Sequence, residues 1–137
     1  MDPTSWAALS GAIEAGLSSA QVERIVAHDG SAIVGSALLF PPAVDAYGGL
    51  TVGGKWPEVR LVSVEPAARG RGIARALMQE CFRRARAAGA THIGLHTSRS
   101  MAAAIRLYEG MGFERAPEND FQPPGTELVV GYQLRLE

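Results

Sequence analysis

The chain of 137 residues has little cysteine, little lysine and no long apolar run. Its single cysteine, Cys81, cannot form a disulfide within the chain, which favours a reducing compartment. No apolar run approaches the roughly 18 residues that a membrane-spanning helix needs. Residues 1–20 lack the basic start of a secretory signal. The sequence therefore predicts a cytoplasmic protein that does not enter the membrane.

The composition is that of a folded globular protein. Hydrophobic residues make up 47% of the chain and charged residues 20%, which excludes disordered and low-complexity classes. No internal repeat or linker-like tract is present, so the sequence predicts a single domain over residues 1–137.

Charge is unevenly distributed although the net charge is only -1. Residues 1–58 hold two basic and six acidic side chains, residues 59–115 hold ten and four, and residues 116–137 hold one and four. Within the basic middle, Glu80 is the one acid among six arginines, at 69, 71, 75, 83, 84 and 86. This concentration predicts an anion site, and a solvated helix face is the alternative. The acidic flanks and the pI of 6.3 argue against nucleic-acid binding.

Hydrophobic periodicity predicts a mixed α/β protein. A turn at Asp29-Gly30 predicts a hairpin, and a strand-helix-strand crossover further on must join parallel neighbours. The sheet is therefore expected to be largely antiparallel with one parallel pair. The predicted helices are 4–18, 72–88 and 101–109, and the predicted strands are 22–28, 32–40, 58–64, 92–97, 113–116 and 127–136.

A glycine-containing loop, Arg69-Gly70-Arg71-Gly72-Ile73-Ala74, joins a predicted strand to a predicted helix. Glycines allow positive φ and close backbone approach, and a helix start presents unpaired amides that favour phosphate. The loop lacks the Gly-Lys-Ser/Thr of a P-loop and the three-glycine spacing of a dinucleotide fingerprint. On its own it is a weak signal.

A second motif makes the combination specific. The segment 62–77, VSVEPAARGRGIARAL, is followed at a suitable interval by Ala-x-x-Leu-Tyr-x-x-x-Gly-Phe over 104–113. Together they resemble the GNAT superfamily of acyl-CoA-dependent N-acyltransferases, with Arg69, Gly72 and Ala74 on its Q/R-x-x-G-x-G/A signature. The resemblance runs from about residue 35 to the C-terminus. It implies a mixed, mostly antiparallel twisted sheet with helices on both faces. The N-terminal part would be shortened, with residues 1–21 forming one short helix in place of the usual first strand and helices.

The resemblance also implies an activity. This is acetyl transfer from acetyl-CoA to a primary amine of a small molecule by direct attack in a ternary complex. The alternatives are a protein or peptide N-acetyltransferase and a catalytically weak acyl-CoA-binding regulator. Tyr108 would lie beside the thioester sulfur and protonate the departing thiolate, since a phenol stays protonated at neutral pH. The positions implied to contact the co-substrate are Val62, Ser63, Val64, Arg69, Gly70, Arg71, Gly72, Ile73, Ala74, Met101, Ala104 and Tyr108.

Met101 departs from the family pattern, because many relatives carry asparagine there. A hydrophobic contact would then replace one polar contact to the co-substrate arm or to water.

The catalytic base is expected to be Glu58, at the start of the strand that would hold the thioester. Strand alternation predicts that Glu58, Arg60, Val62 and Val64 share one face, so Glu58 could instead pair with Arg60. His96 and Thr97 on the neighbouring strand are weaker alternatives.

Neither a metal site nor a cysteine nucleophile is expected. His92 and His96 would be about 13 Å apart on a strand, too far to share one ion, and no metal is expected. Cys81 lies on the apolar helix stripe and is expected to be packed in the core.

An exposed strand edge at 22–28 would favour a homodimer.

Overall fold

A computed structural model describes residues 22–42 and 55–137 of the protein. The predicted helix at 4–18 and most of the predicted loop between 41 and 56 lie outside these ranges. No helix in the described ranges is long and apolar enough to cross a membrane. The described strands are β1 Glu23–Asp29, β2 Ala32–Phe40, β3 Glu58–Val64, β4 His92–Ser98, β5 Glu114–Arg115 and β6 Val129–Arg135, and the α-helices are α1 Ile73–Ala87 and α2 Ala102–Gly110.

The six strands form one sheet in the order β1-β2-β3-β4-β6-β5. Every neighbouring pair is antiparallel except β3 and β4, which are parallel and joined through α1. The predicted element order is confirmed within the described ranges, and predicted and observed ends differ by at most two residues. Glycines occupy the left-handed backbone positions at two predicted ends, Gly30 in the β1-β2 turn (φ +62°) and Gly89 after α1 (φ +85°).

Strand β3 contains an irregularity at Leu61. Leu61 has φ +58°, a rare conformation for a residue with a side chain, and the register with β2 shifts at this point. Val59 and Val62 both pack in the main core, whereas Leu61 packs on the other side of the sheet. The prediction that Glu58, Arg60, Val62 and Val64 share one face is therefore wrong, because one extra residue in the strand reverses the alternation.

The main core lies between one face of the sheet and the two described helices. Helix α1 contributes an apolar stripe that includes the fully buried Met78 and Cys81, and α2 contributes Tyr108. A smaller apolar cluster on the opposite face contains Leu38, Phe40, Leu61 and Phe121. The two faces of β3 are thus in different surroundings.

Candidate active site

The glycine loop leads into α1 with two residues in the left-handed conformation. Gly70 has φ +81° and Gly72, the N-cap residue, has φ +78°. The first hydrogen bond within the helix is donated by the amide of Ala76 to the carbonyl of Gly72 (3.0 Å). The backbone amides of residues 73–75 therefore have no acceptor within the helix, and no side chain caps the helix start. These amides and the helix dipole create an anion-binding end.

An open cleft of about 180 Å³ lies against this loop. Arg69 and Arg75 bring positive charge to it, while Val64 and Leu107 give it an apolar side. The remaining lining residues come from the turn before α1 and its first turn: Ala68, Gly70, Gly72, Ile73 and Ala74. The cleft therefore combines backbone donors, two guanidinium-bearing residues and an apolar wall that approaches β3.

The arginines between residues 69 and 86 have more acidic partners than Glu80, the one acid among them in the sequence. Arg83 binds Glu80 through Nε (2.8 Å), as expected for adjacent helical turns. Arg71, however, pairs with Asp29 (3.2 Å), and Arg84 pairs with Glu23 (3.1 Å), because β1 packs beside α1. The acidic N-terminal part thus neutralises part of the cluster, and Glu80 is not its only counter-charge.

Strands β3 and β4 diverge after a short paired region. Their parallel register contains only two pairs, Glu58 with Gly94 and Val59 with Leu95. The Glu65 amide donates to Val34 (2.8 Å), so by strand alternation the backbone groups of Ser63 face β2. The amides and carbonyls of Val62 and Val64 consequently point into the gap between β3 and β4.

Tyr108 is 9% exposed and lies on α2 next to the cleft-lining Leu107. Its ring packs edge-on against Phe113, with ring centres 5.9 Å apart. Among residues 22–42 and 55–137, the Tyr108 hydroxyl has no hydrogen-bond partner. Every fully buried side-chain oxygen in these ranges does have a partner, so the Tyr108 hydroxyl is not fully buried. Burial, and secondarily the nearby Cys81, raise the pKa of Tyr108, so the phenol is protonated at neutral pH.

Glu58 and His96 form an ion pair across β3 and β4. The Oε1 atom of Glu58 lies 2.6 Å from Nδ1 of His96, and Nε2 of His96 lies 2.8 Å from the carbonyl oxygen of Asn119. The Asn119 carbonyl can only accept, so Nε2 carries a proton and donates to it, and a protonated Nδ1 would donate to the Glu58 carboxylate. Burial lowers the pKa of His96, but Glu58, the Asn119 carbonyl and Asp120 together outweigh burial and raise it above 6.5.

A second charged contact fixes the segment that carries Asn119. Arg115 binds both carboxylate oxygens of Asp120 (2.8 Å each), and Asp120 Oδ1 also accepts from the Gly131 amide (2.8 Å). The Arg115 hydrogen bonds, with smaller help from the Gly131 amide, lower the pKa of Asp120 to about 2. The ring of Phe121, the next residue, lies 5.2 Å from the His96 ring.

The other predicted positions lie at the start of α2. Met101 is the N-cap residue and is 53% exposed, and its sulfur accepts a hydrogen bond from Thr97 (3.5 Å). Ala104 is partly buried against the main core. Thr97 is thus bonded to Met101 rather than to Glu58 or His96 in the described structure.

The structure gives His92 and Cys81 ordinary packing surroundings. His92 stacks against Trp56 with ring centres 4.2 Å apart, and no group of three or more potential metal ligands exists among the described residues. Cys81 is fully buried, and burial raises the pKa of its thiol to about 12, which makes it a poor nucleophile.

Three parts of the site were not identified from the sequence. Of these, only Gly94 could have been identified from the sequence. A glycine in the middle of a buried strand often marks a place where another group approaches the backbone closely. The Asn119 carbonyl and the Arg115-Asp120 pair carry no sequence signal, because their role depends on how the segment before β6 folds back.

The comparison with known proteins places this architecture in a class. The described sheet and helices have the same fold as a solved GNAT-family protein. Residues 4–113 match the model of the Acetyltransferase (GNAT) family, and the chain belongs to this family. An IAA acetyltransferase from Azospirillum brasilense is 32% identical over 115 residues, which cover 83% of this chain and 69% of that protein. Several further curated relatives are longer, and the chain spans 17–38% of their length.

Solved structures support the fold. A GNAT-family protein from Desulfovibrio desulfuricans superimposes with a TM-score of 0.76 at 19% identity, covering 100% of this chain and 84% of that one. A GNAT-family acetyltransferase from Elizabethkingia anophelis, solved with acetyl-CoA bound, gives a TM-score of 0.68 at 18% identity, covering 90% and 81%.

Proposed function

We propose that this protein transfers an acetyl group from acetyl-CoA directly to a primary amine of a small molecule. The observation that carries the proposal is the gap between β3 and β4, which opens beside the glycine loop. Acetyl-CoA supplies the activated acyl group when bound. The residues present fit such a molecule, because backbone donors, cationic side chains and an apolar wall follow one another along the cleft.

The glycine loop is the proposed site for the pyrophosphate. The first-turn amides of α1 are directed to the loop end, and glycine at 70 and 72 allows the backbone to approach a phosphate closely. Arg69 and Arg75 line the same cleft and add charge. Arg71 is already paired with Asp29, so its side chain would contribute less than its backbone.

The gap is the proposed site for the extended arm of the co-substrate. Val62 and Val64 direct backbone donors and acceptors into it, so an extended chain can add to β3 as another strand would. Met101 and Ala104, at the start of α2, are the proposed contacts on the other side. The exposed Met101 offers an apolar surface with a sulfur atom.

Tyr108 is the proposed proton donor to the departing thiolate. Its hydroxyl has no hydrogen-bond partner in the described ranges, and its raised pKa keeps the proton available at neutral pH. On the opposite face of the sheet, Glu58 is the proposed acceptor of the amine proton, directly or through water. The two groups thus serve the two ends of one transfer.

The first experiment separates an enzyme from a binding protein. Calorimetry with acetyl-CoA tests co-substrate binding, and thiol release across a panel of small amines and peptides tests transfer. We expect turnover on small amines. Turnover on peptides alone would favour a protein N-acetyltransferase, and binding without turnover would favour a regulator.

The variant Tyr108→Phe tests the proton donor. We expect kcat to fall by about 10²- to 10⁴-fold while acetyl-CoA still binds. Tyr132→Phe is the matched control, because it removes a hydroxyl that bonds Glu109 (3.2 Å) elsewhere in the protein. An unchanged kcat in Tyr108→Phe would refute its assignment.

We also propose that the protein forms a homodimer. Strand β1 stands at the end of the strand order in the described ranges, and unpaired strand edges invite partners. Light scattering at working concentration tests this, and a monomeric mass would contradict it.

A further inference from the structure

We propose that Gly94 and His96 are positioning residues for Glu58, with Gly94 making room for one carboxylate oxygen and His96 holding the other. The inference rests on the proposed function, in which Glu58 accepts the proton of the amine. It extends that function to two residues of β4 that lie next to the carboxylate and have no other assigned role.

Gly94 lies opposite Glu58 in the parallel register of β3 and β4. A Cβ atom at position 94 would lie 2.6 Å from Oε2 of Glu58, closer than such atoms approach, whereas the next nearest atoms are 3.7 Å away. The backbone of Gly94 is not in the left-handed region, so other residues could adopt its conformation. A side chain at position 94 would therefore oblige the Glu58 carboxylate to move.

His96 lies two residues further along β4, on the same face, and holds Oε1 of Glu58 through Nδ1 (2.6 Å). Its ring is fixed in turn by the Asn119 carbonyl at Nε2 (2.8 Å) and by the ring of Phe121. Charged groups that act on the ring include Glu58 from β3 and Asp120 from the segment before β6.

These contacts hold the carboxylate at Oε1 and leave room for Oε2. Oε1 is bonded to an imidazole ring that cannot turn without breaking a second hydrogen bond, and Oε2 lies beside a glycine. Catalytic groups act efficiently only when held within about 0.5 Å of the productive position. Fixing Glu58 in this way is what a proton acceptor between two diverging strands requires.

A double-mutant cycle tests the role of Gly94. Gly94→Ala should push the carboxylate away and lower kcat for acetyl transfer by about 10- to 100-fold, with KM for acetyl-CoA nearly unchanged. In a Glu58→Ala background the same methyl group has no carboxylate to displace, so Gly94→Ala should have no further effect. Gly110→Ala is the matched control, because nothing lies within 4 Å of the added methyl group.

Equal losses from Gly94→Ala in both backgrounds would show that the methyl group disturbs the strand itself, and would overturn the inference. Full activity in Gly94→Ala would overturn it as well. Thermal unfolding of each variant identifies any that fails to fold. His96→Gln retains an N–H donor and should keep more of kcat than His96→Leu, and equal losses in the two would contradict a positioning hydrogen bond.

NMR titration provides a readout that does not depend on activity. The chain has three histidines, so replacing His28 or His92 assigns the ring signals. We expect His96 to titrate above an ordinary histidine, and its titration to move to lower pH in Glu58→Gln and in Gly94→Ala. A His96 titration unchanged by Glu58→Gln would overturn the inference, whereas absence of acetyl transfer by the wild type would contradict the proposed function instead.

Discussion

Replacing Asp120 with asparagine should destabilise the protein at neutral pH, and the loss should shrink in acid. The Asp120 carboxylate accepts two hydrogen bonds from Arg115 and one from the Gly131 amide, all 2.8 Å long. Asparagine keeps one acceptor oxygen, but it loses the charge and presents an amide donor to the guanidinium. The expected cost is therefore that of a charge-assisted contact rather than of a single neutral hydrogen bond.

The pKa of Asp120 sets the size of this effect. A pKa lowered from 3.8 to about 2 corresponds to about 2 kcal/mol of stabilisation by the ionised form. The contact is partly open to water, which screens it, so about 1 kcal/mol is the better expectation. A depressed folded-state pKa gives stability that is fully present above about pH 4–5 and is lost as the pH falls towards 2. The variant and the wild type should therefore converge over this window.

Urea unfolding followed by tryptophan fluorescence at several pH values between 7 and 2.5 measures the difference directly. Glu114→Gln is the matched control, because it removes the same charge from an exposed position on β5 next to Arg115. A difference between Asp120→Asn and wild type that stays constant from pH 7 to pH 2.5 would refute the reasoning. So would a loss at pH 7 no larger than that of the control.

Three further changes have defined expected outcomes. Cys81 should not react with a thiol reagent in the native protein and should react once on unfolding, because burial raises its pKa to about 12. Gly35→Ala should destabilise the protein by about 1–3 kcal/mol in thermal unfolding. The added Cβ would lie 3.1 Å from the Ser63 carbonyl and 2.9 Å from Ile73, which lines the cleft. Calorimetry should therefore also show weaker acetyl-CoA binding. Deleting Leu61 should restore regular pairing of β3 and abolish acetyl-CoA binding in calorimetry even where circular dichroism shows an intact sheet.

The order of elements and the glycine loop were predictable because their signals are local. Alternating and helical apolar patterns depend on neighbouring residues, and turn glycines such as Gly30 and Gly89 stand where the backbone must be left-handed. The loop at 69–74 was also predictable, since its glycines precede a clear helical pattern. Such features need no knowledge of what lies across the sheet.

The bulge at Leu61 could not be predicted. Leucine rarely adopts positive φ, so nothing in the local sequence marks the position, and its conformation is imposed by packing on both faces of β3. The pairing of Glu58 with His96 spans 38 residues and depends on the register of a parallel pair. Sequence alternation suggested Arg60 as the partner of Glu58 because it considers one strand at a time.

In the proposed function, two chemical groups on opposite faces of the sheet serve one transfer without meeting. Val59, before Leu61, and Val62, after it, both face the main core. Glu58, next to Val59, therefore lies on the face away from the helices. Tyr108 and the glycine loop lie on the helix face. A thioester held in the gap between β3 and β4 would then be approached by the amine from the Glu58 face. Its thiolate would depart towards Tyr108 on the other face, so the opening between the strands separates proton removal from proton donation.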